Sequence, residues 1–379
     1  MSDQYTEVTT NSWGSRIIGS IKGILIGFIL IIVSLILLWW NEGRSIHNEN
    51  DLKDGSKSVI HLQNNKPSSE NENKLVHISG KAETSDTLKD ADFNININAI
   101  SLKRDVLIYQ WVEKTEEKTE KQLGGSEKVT TNYNYTKQWV SGLINSDDFK
   151  VKENHINKSA YTFESTSNNA QNVHVGDFKL SADLVNKINK YEAYQLDSNA
   201  KNKSFKVSSN KIYLGSGNLE NNPQIGDVKI SFEIVNPSQM VSIISKQLNN
   251  TLIPFVGKNG STINELMFGE INANEMFKVA ISNNNTLTWG LRLTGLIMCI
   301  LGFMLILNPL VVIADVVPFI GSILNIGTGL VSFVVGVILT FITIAIAWFF
   351  YRPLISIILI SVVVLLFIFL IRKRKVSIK

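Results

Sequence analysis

The chain has 379 residues, of which 44% are hydrophobic and 18% charged, and a formal net charge of +4. That length accommodates a membrane region plus a soluble domain of roughly 240 residues, and the weak, scattered charge excludes a nucleic-acid footprint. A single cysteine, Cys299, excludes a disulfide framework, a thiol nucleophile and a cysteine metal site from the soluble part.

The first dozen residues are polar, and residues 1–22, with Arg16 and Lys22, read as a cytoplasmic N-terminus. Gly23 to Trp40 is an uncharged apolar run of about eighteen residues, enough to cross the bilayer as a helix. It is longer than the roughly 7–15 residues of a signal-peptide core, and Leu38-Trp39-Trp40-Asn41 offers no small-residue cleavage site, so residues 23–40 read as an uncleaved signal anchor.

Residues 41–286 are polar and biased to Asn, Ser and Lys, with Pro67 to Lys74 reading as a linker. Leu75 to Ser79 is a strand candidate. Apolar side chains alternate at Phe93, Ile95, Ile97 and Ala99, at Val129, Thr131, Tyr133 and Tyr135, and at Val228, Ile230, Phe232 and Ile234, the period of half-buried strands. Glu113 to Lys121, a mixed charge run before Gly124-Gly125, reads as a solvated hairpin or loop. Helical spacing follows Ser181 at Leu184, Ile188 and Tyr191, and follows Asn272 over Ala273 to Val279. Gly176-Asp177 and Gly226-Asp227 head similar segments and read as turns before strands rather than as a duplication. The expected domain is mainly β with a few helices.

Residues 287–371 hold three uncharged runs, Leu293 to Ala314, Val316 to Tyr351 and Pro353 to Ile371, each long enough to cross the membrane. The basic tail, residues 372–379, follows. The expected fold is thus an α+β membrane protein with four transmembrane helices, one before and three after a large β-rich domain. Arg16 and Lys22 before the first span, and Arg372 to Lys375 after the last, place both termini in the cytoplasm and the domain outside it or in a lumen.

On this topology Trp39, Trp40, Glu42, Arg44, Trp289, Arg292, Trp348, Tyr351 and Arg352 gather at the outer interface, where aromatic rings sit at headgroup depth. Glu42 is expected to pair with Arg292, Arg352 or Arg44, and an ordinary aromatic belt with snorkelling arginines is the competing reading. Asp315 stands in an apolar connection. It faces water if Pro309 and Pro318 bound a short interfacial loop, the expected case, and is an ion or proton site if the connection dips into the membrane.

Reaction chemistry is not legible. There is no Gly-X-Ser-X-Gly elbow, and His47, His61, His77, His155 and His174 lack ligand spacing. Gly257-Lys258-Asn259-Gly260-Ser261 lacks the order of a phosphate loop and reads as a turn. No cofactor, metal or nucleic-acid partner is expected, and the chain does not read as an enzyme.

The series Asn41-Glu42-Gly43-Arg44, Leu75-Val76-His77-Ile78-Ser79-Gly80, Tyr109-Gln110-Trp111-Val112-Glu113, Ile144-Asn145-Ser146, Gly226 to Phe232, Leu252-Ile253-Pro254-Phe255, Thr288 to Arg292 and Phe350-Tyr351-Arg352-Pro353-Leu354 resembles, in order, the LUMA family, also called transmembrane protein 43. The resemblance implies four spans with a large hydrophilic domain between the first and second, and no catalytic residues. For a eukaryotic source it implies the endoplasmic reticulum and inner nuclear membrane, self-association, and company with lamins, emerin and SUN-domain proteins. For a bacterial source it implies the cytoplasmic membrane. The expected role is a membrane scaffold, with transport or sensing through Asp315 as the alternative and a hydrolase in the soluble domain as a weaker one.

Overall fold

The computed structural model describes residues 3–196, 206–215 and 222–353. Helix α1, Trp13–Ser58, starts at Ser12, whose hydroxyl accepts from the Ser15 N–H. Helix α2, Ala182–Lys187, is a short turn in the β domain. Helix α3, Ala273–Ala314, is capped by Asn272, which accepts from the Glu275 N–H at 2.9 Å, and α4, Pro318–Tyr351, begins at a proline, which suits a first helical turn.

The helices overrun the apolar runs that announce them. No proline interrupts residues 41–58, and Asn41, Glu42, Ser45, Ile46, Leu52 and Gly55 bury one face, so α1 carries on for about five turns beyond Trp40. Likewise the helix expected over Ala273 to Val279 is the start of α3 itself. Pro309 lies inside α3 rather than at its end, which shrinks the expected loop between Pro309 and Pro318 to Asp315–Val317. The fourth expected span, Pro353 to Ile371, lies outside the described residues beyond its first.

Helices α1 and α3 are antiparallel and close. A Cβ on Gly27 would stand 2.6 Å from the Gly302 carbonyl oxygen, and one on Gly302 would stand 2.9 Å from that of Gly27. Ser34 donates to the Gly295 carbonyl at 2.8 Å. Small residues on both partners let the backbones approach, as in membrane helix pairs. Leu25, Phe28, Ile29, Ile36, Phe333 and Phe341 point outward and stay exposed, a surface matched to lipid. Among the described residues three helices are long and apolar enough to cross a membrane.

The longest strands among the described residues are β1 Asp3–Asn11, β2 Leu75–Thr84, β3 Ser101–Lys121, β4 Glu127–Ser141, β5 Val228–Val235 and β6 Gln239–Leu248. One sheet runs β1–β4–β3–β5 and continues to Lys211–Leu214 and Lys206–Ser208. The other is centred on the antiparallel pair β2–β6, with Ile78 opposite Ile243. The alternation read at Val228 to Ile234 is the core face of β5, packed with Leu102, Val106 and Ile212. The second sheet buries Val76, Ile78, Val241 and Ile243 with Phe178 and Leu184. Leu52 of α1 and Met276 and Phe277 of α3 pack against Leu75, Ile244 and Ile263, joining the domain to the helices.

Strand β3 departs furthest from expectation. Its first half pairs with β5, but after Ile108 it runs on beside β4 alone, pairing through Lys121↔Glu127. Strand β1 lies along the other edge of β4, from Asp3↔Tyr135 to Asn11↔Glu127. Of the solvated hairpin or loop expected at Glu113 to Lys121, the structure shows the hairpin: the run is one arm of a polar three-stranded ribbon that turns at Gly124 and Gly125, with φ of +86° and +81°, where glycine carries no Cβ penalty. From Trp111 to Lys121 the ribbon extends about 33 Å, and α1 rises about 37 Å from Arg16 to Asn41. It reaches the end of the helix pair remote from the domain.

Candidate functional site

Two polar clusters, one at each end of the helix pair, gather most of the charged residues singled out in the sequence. At the domain end Glu42 is fully buried on α1. Arg292 of α3 donates to both its oxygens, Nε at 2.6 Å and Nη2 at 2.8 Å, and the Trp348 indole of α4 donates at 2.7 Å. One carboxylate therefore joins three helices. The Arg292 guanidinium also lies 4.7 Å from the centre of the Trp289 ring.

Of the other two arginines weighed for Glu42, Arg352 pairs with Glu49 at 3.1 Å, and Arg44 donates to neutral oxygens of Asn284, Asn41 and Thr288. Trp39 packs its ring against Phe350 and Tyr351, Trp40 is exposed beside Arg44, and Tyr351 closes on Gly43.

Asp315 departs from the water-facing expectation. It is 1% exposed at the C-terminus of α3, clamped between Arg16 of α1 at 2.5 Å and Lys121 at the ribbon tip at 2.7 Å. Arg16 also pairs with Glu127 and donates to the Gly125 carbonyl. The Trp13 indole donates to the Val312 carbonyl, the Gly124 N–H donates to that of Val316, and Gly125 lies against the Trp13 ring. Sequence reasoning missed Trp13, Arg16, Lys121 and Glu127 as a group. Nothing local marks them, because their meeting depends on the length of a polar strand.

The far cluster bears on sidedness. Lys121 was expected outside the cytoplasm with the domain, and Arg16 inside it. The structure brings them to one carboxylate, so the ribbon runs beside the depth of the apolar spans. A ribbon of Glu, Lys and Thr whose outer edge is open among the described residues is not solvated by hydrocarbon, so that side of the helices needs water or protein.

The turn at 257–261 has acquired an anion from the chain itself. Asp51 of α1 accepts from the backbone N–H groups of Asn259 and Ser261 and from the Asn259 amide at 2.8–3.0 Å. Burial raises the Asp51 carboxyl, but these hydrogen bonds outweigh it and hold it below the ordinary value.

Among the histidines, His61 and His77 meet at 2.8 Å between Nδ1 atoms, and His77 Nε2 lies 2.9 Å from the Ile271 carbonyl. Nε2 therefore carries a proton and donates it to Ile271, while Nδ1 accepts from His61. His155 is buried between Tyr135 and Trp111. Among the described residues no three His, Cys, Asp or Glu side chains are placed to hold a metal.

Comparison with known proteins gives a consistent result. A family model described as Transmembrane protein 43 matches residues 108–353. The mouse protein of that name is 33% identical over 350 residues, covering 88% of this chain and 85% of its own length. The human protein is 32% identical over 342 residues, covering 88% of this chain and 85% of its own. A Drosophila melanogaster homolog is 27% identical over 282 residues, covering 73% of this chain and 74% of its own. No solved structure matches.

Proposed function

The chain belongs to the transmembrane protein 43 family and is an integral membrane protein, and from that premise we propose that it is a non-enzymatic scaffold that self-associates. In a eukaryotic cell its place is the endoplasmic reticulum and inner nuclear membrane, with lamins, emerin and SUN-domain proteins as neighbours. In a bacterium it is the cytoplasmic membrane. The β domain lies on the face away from the cytoplasm.

The ribbon carries this reading. Its tip is tied to the far ends of α1 and α3, and among the described residues no strand lies beside the outer edge of β1. Polar backbone at membrane depth is stable only where protein or a water-filled space shields it. Further copies of the same chain, arranged about an axis with the ribbons inward, supply that cover.

The test uses the exposed edge residue Thr6 as Thr6→Cys in a Cys299→Ala background, treated with a short bismaleimide in native membranes. We expect covalent dimers. Monomer alone, together with a monomeric size after gentle solubilisation, overturns self-association.

Transport or sensing through Asp315 gains one observation, the burial of that carboxylate at a helix junction. Two fixed cationic partners suit an anchor better than a proton carrier. Proton flux into liposomes holding the wild type, abolished in Asp315→Asn, would reverse this assignment.

A further inference from the structure

Just past the apolar run of α1 a cleft of about 620 Å³ opens between Trp40, Arg44 and His47 of α1, the turn at Asn259–Thr262, and Tyr351 of α4. Its volume lies within the usual range of ligand sites. Its walls are fitted closely: a Cβ on Gly43 would stand 2.7 Å from Tyr351 Cζ, and the turn is held by the Asp51 carboxylate described above.

The charge balance of the cleft is one-sided. The three carboxylates nearest it along α1 are committed elsewhere: Glu42 to Arg292 and Trp348, Glu49 to Arg352 and Lys53, and Asp51 to the turn. Among the described residues Arg44 forms no ion pair: its Nη atoms donate to neutral oxygens, its Nε is buried without an acceptor, and the nearby Glu42 acts on it through space while bound to Arg292. His47, Asn48, Ser261 and Thr262 add side chains that donate hydrogen bonds.

Toward the apolar run the surface changes character. Ile32 and Ile36 of α1 and Phe349 and Phe350 of α4 are exposed. A cationic, donor-rich pocket directly above exposed apolar helix faces, at the depth of Trp39 and Trp40, matches an amphiphile with an anionic head and hydrocarbon tails.

We propose that this cleft binds the phosphate headgroup of an anionic phospholipid. Arg44 provides the charge, and the side chains around it the remaining donors. The inference needs only the integral membrane character of the chain and stands apart from self-association.

The test is native mass spectrometry of the purified full chain in detergent, exposed in separate arms to phosphatidylglycerol, phosphatidylcholine and inorganic phosphate. We expect one retained phosphatidylglycerol, favoured about tenfold over phosphatidylcholine, whose phosphate is the same but whose choline cation is repelled by Arg44. Arg44→Gln should lower its occupancy by about the same factor. Because Arg44 also ties α1 to α3, Thr262→Asp provides the second variant: it sets a negative charge at an exposed position of the cleft and leaves the contacts between α1 and α3 untouched. It should reduce phosphatidylglycerol retention while the unfolding temperature of the lipid-free protein stays at the wild-type value. Equal retention of both lipids, or unchanged retention in Thr262→Asp, overturns the proposal. Inorganic phosphate that competes as well as the lipid would reassign the cleft to a soluble anion.

Discussion

Glu42 shows how much one buried carboxylate does when three helices converge on it. It is removed from water and its oxygens are taken by Arg292 and Trp348, so Glu42→Ala leaves a guanidinium in a low-dielectric site without its counter-charge. Losing one member of a buried pair costs about 3–5 kcal/mol. Thermal or denaturant unfolding in detergent should register a loss of that size, with Arg352→Ala, at a partly exposed pair, costing under about 1 kcal/mol. The crowd of aromatic and charged residues was visible in the sequence. The choice among three arginines was not, because it depends on the register of α1 against α3, which Gly27 and Gly302 set about four turns away. His77 makes a second prediction. Burial pushes its imidazole below the ordinary value of 6.5, and the neighbouring His61 adds to that, while the Ile271 carbonyl opposes it. The folded chain therefore binds a proton less readily than the unfolded one. The contribution of neutral His77 is complete above pH 6.5 and declines as pH falls below it. Unfolding temperature followed from pH 8 to pH 5 should drop in the wild type and flatten in His77→Gln.

Among the elements, the ones whose buried side repeats were readable and the ones that stay polar were not. Strand β5 alternates Val228, Ile230, Phe232 and Ile234 against Lys229, Ser231 and Glu233, and the pattern named its buried face. The outer half of β3 has no apolar face after Val112, so its charges could not separate a hairpin from a loop, although its backbone is fully paired with β4. Helix lengths were underestimated for a related reason: hydropathy marks where a helix crosses lipid, whereas α1 and α3 continue as polar helices held by each other. The contact between them supplies the third prediction. Gly302→Val forces side-chain carbons into the Gly27 carbonyl and the Ile31 side chain. Overpacking of this kind costs about 1–3 kcal/mol, and more where backbone cannot give. Gly327→Val, where a Cβ meets nothing within 4 Å among the described residues, is the control, and the two variants should separate clearly in unfolding temperature.

Taken whole, the molecule is a closed circuit. The domain is joined to α1 and α3 through Leu52, Met276 and Phe277, the helices lead to Asp315, and the ribbon returns from Asp315 to the domain. Domain, helices and ribbon therefore cannot swing independently while the far cluster holds, and Asp315→Asn, by weakening both ion pairs, should release the ribbon tip. Hydrogen exchange at residues 121–127 in membranes should rise in that variant and stay slow in the wild type. A pinned ribbon beside a pair of helices also behaves as a gauge. Its length is fixed by pleated backbone, which stretches little, while the hydrocarbon around it varies between membranes by several ångströms. In lipids of matching length both ends rest at their clusters; in longer-chain lipids the bilayer has to thin locally or the tip has to let go. The molecule would then report the thickness of the membrane it lies in, and exchange at the tip, compared between short- and long-chain lipids, would display the reading.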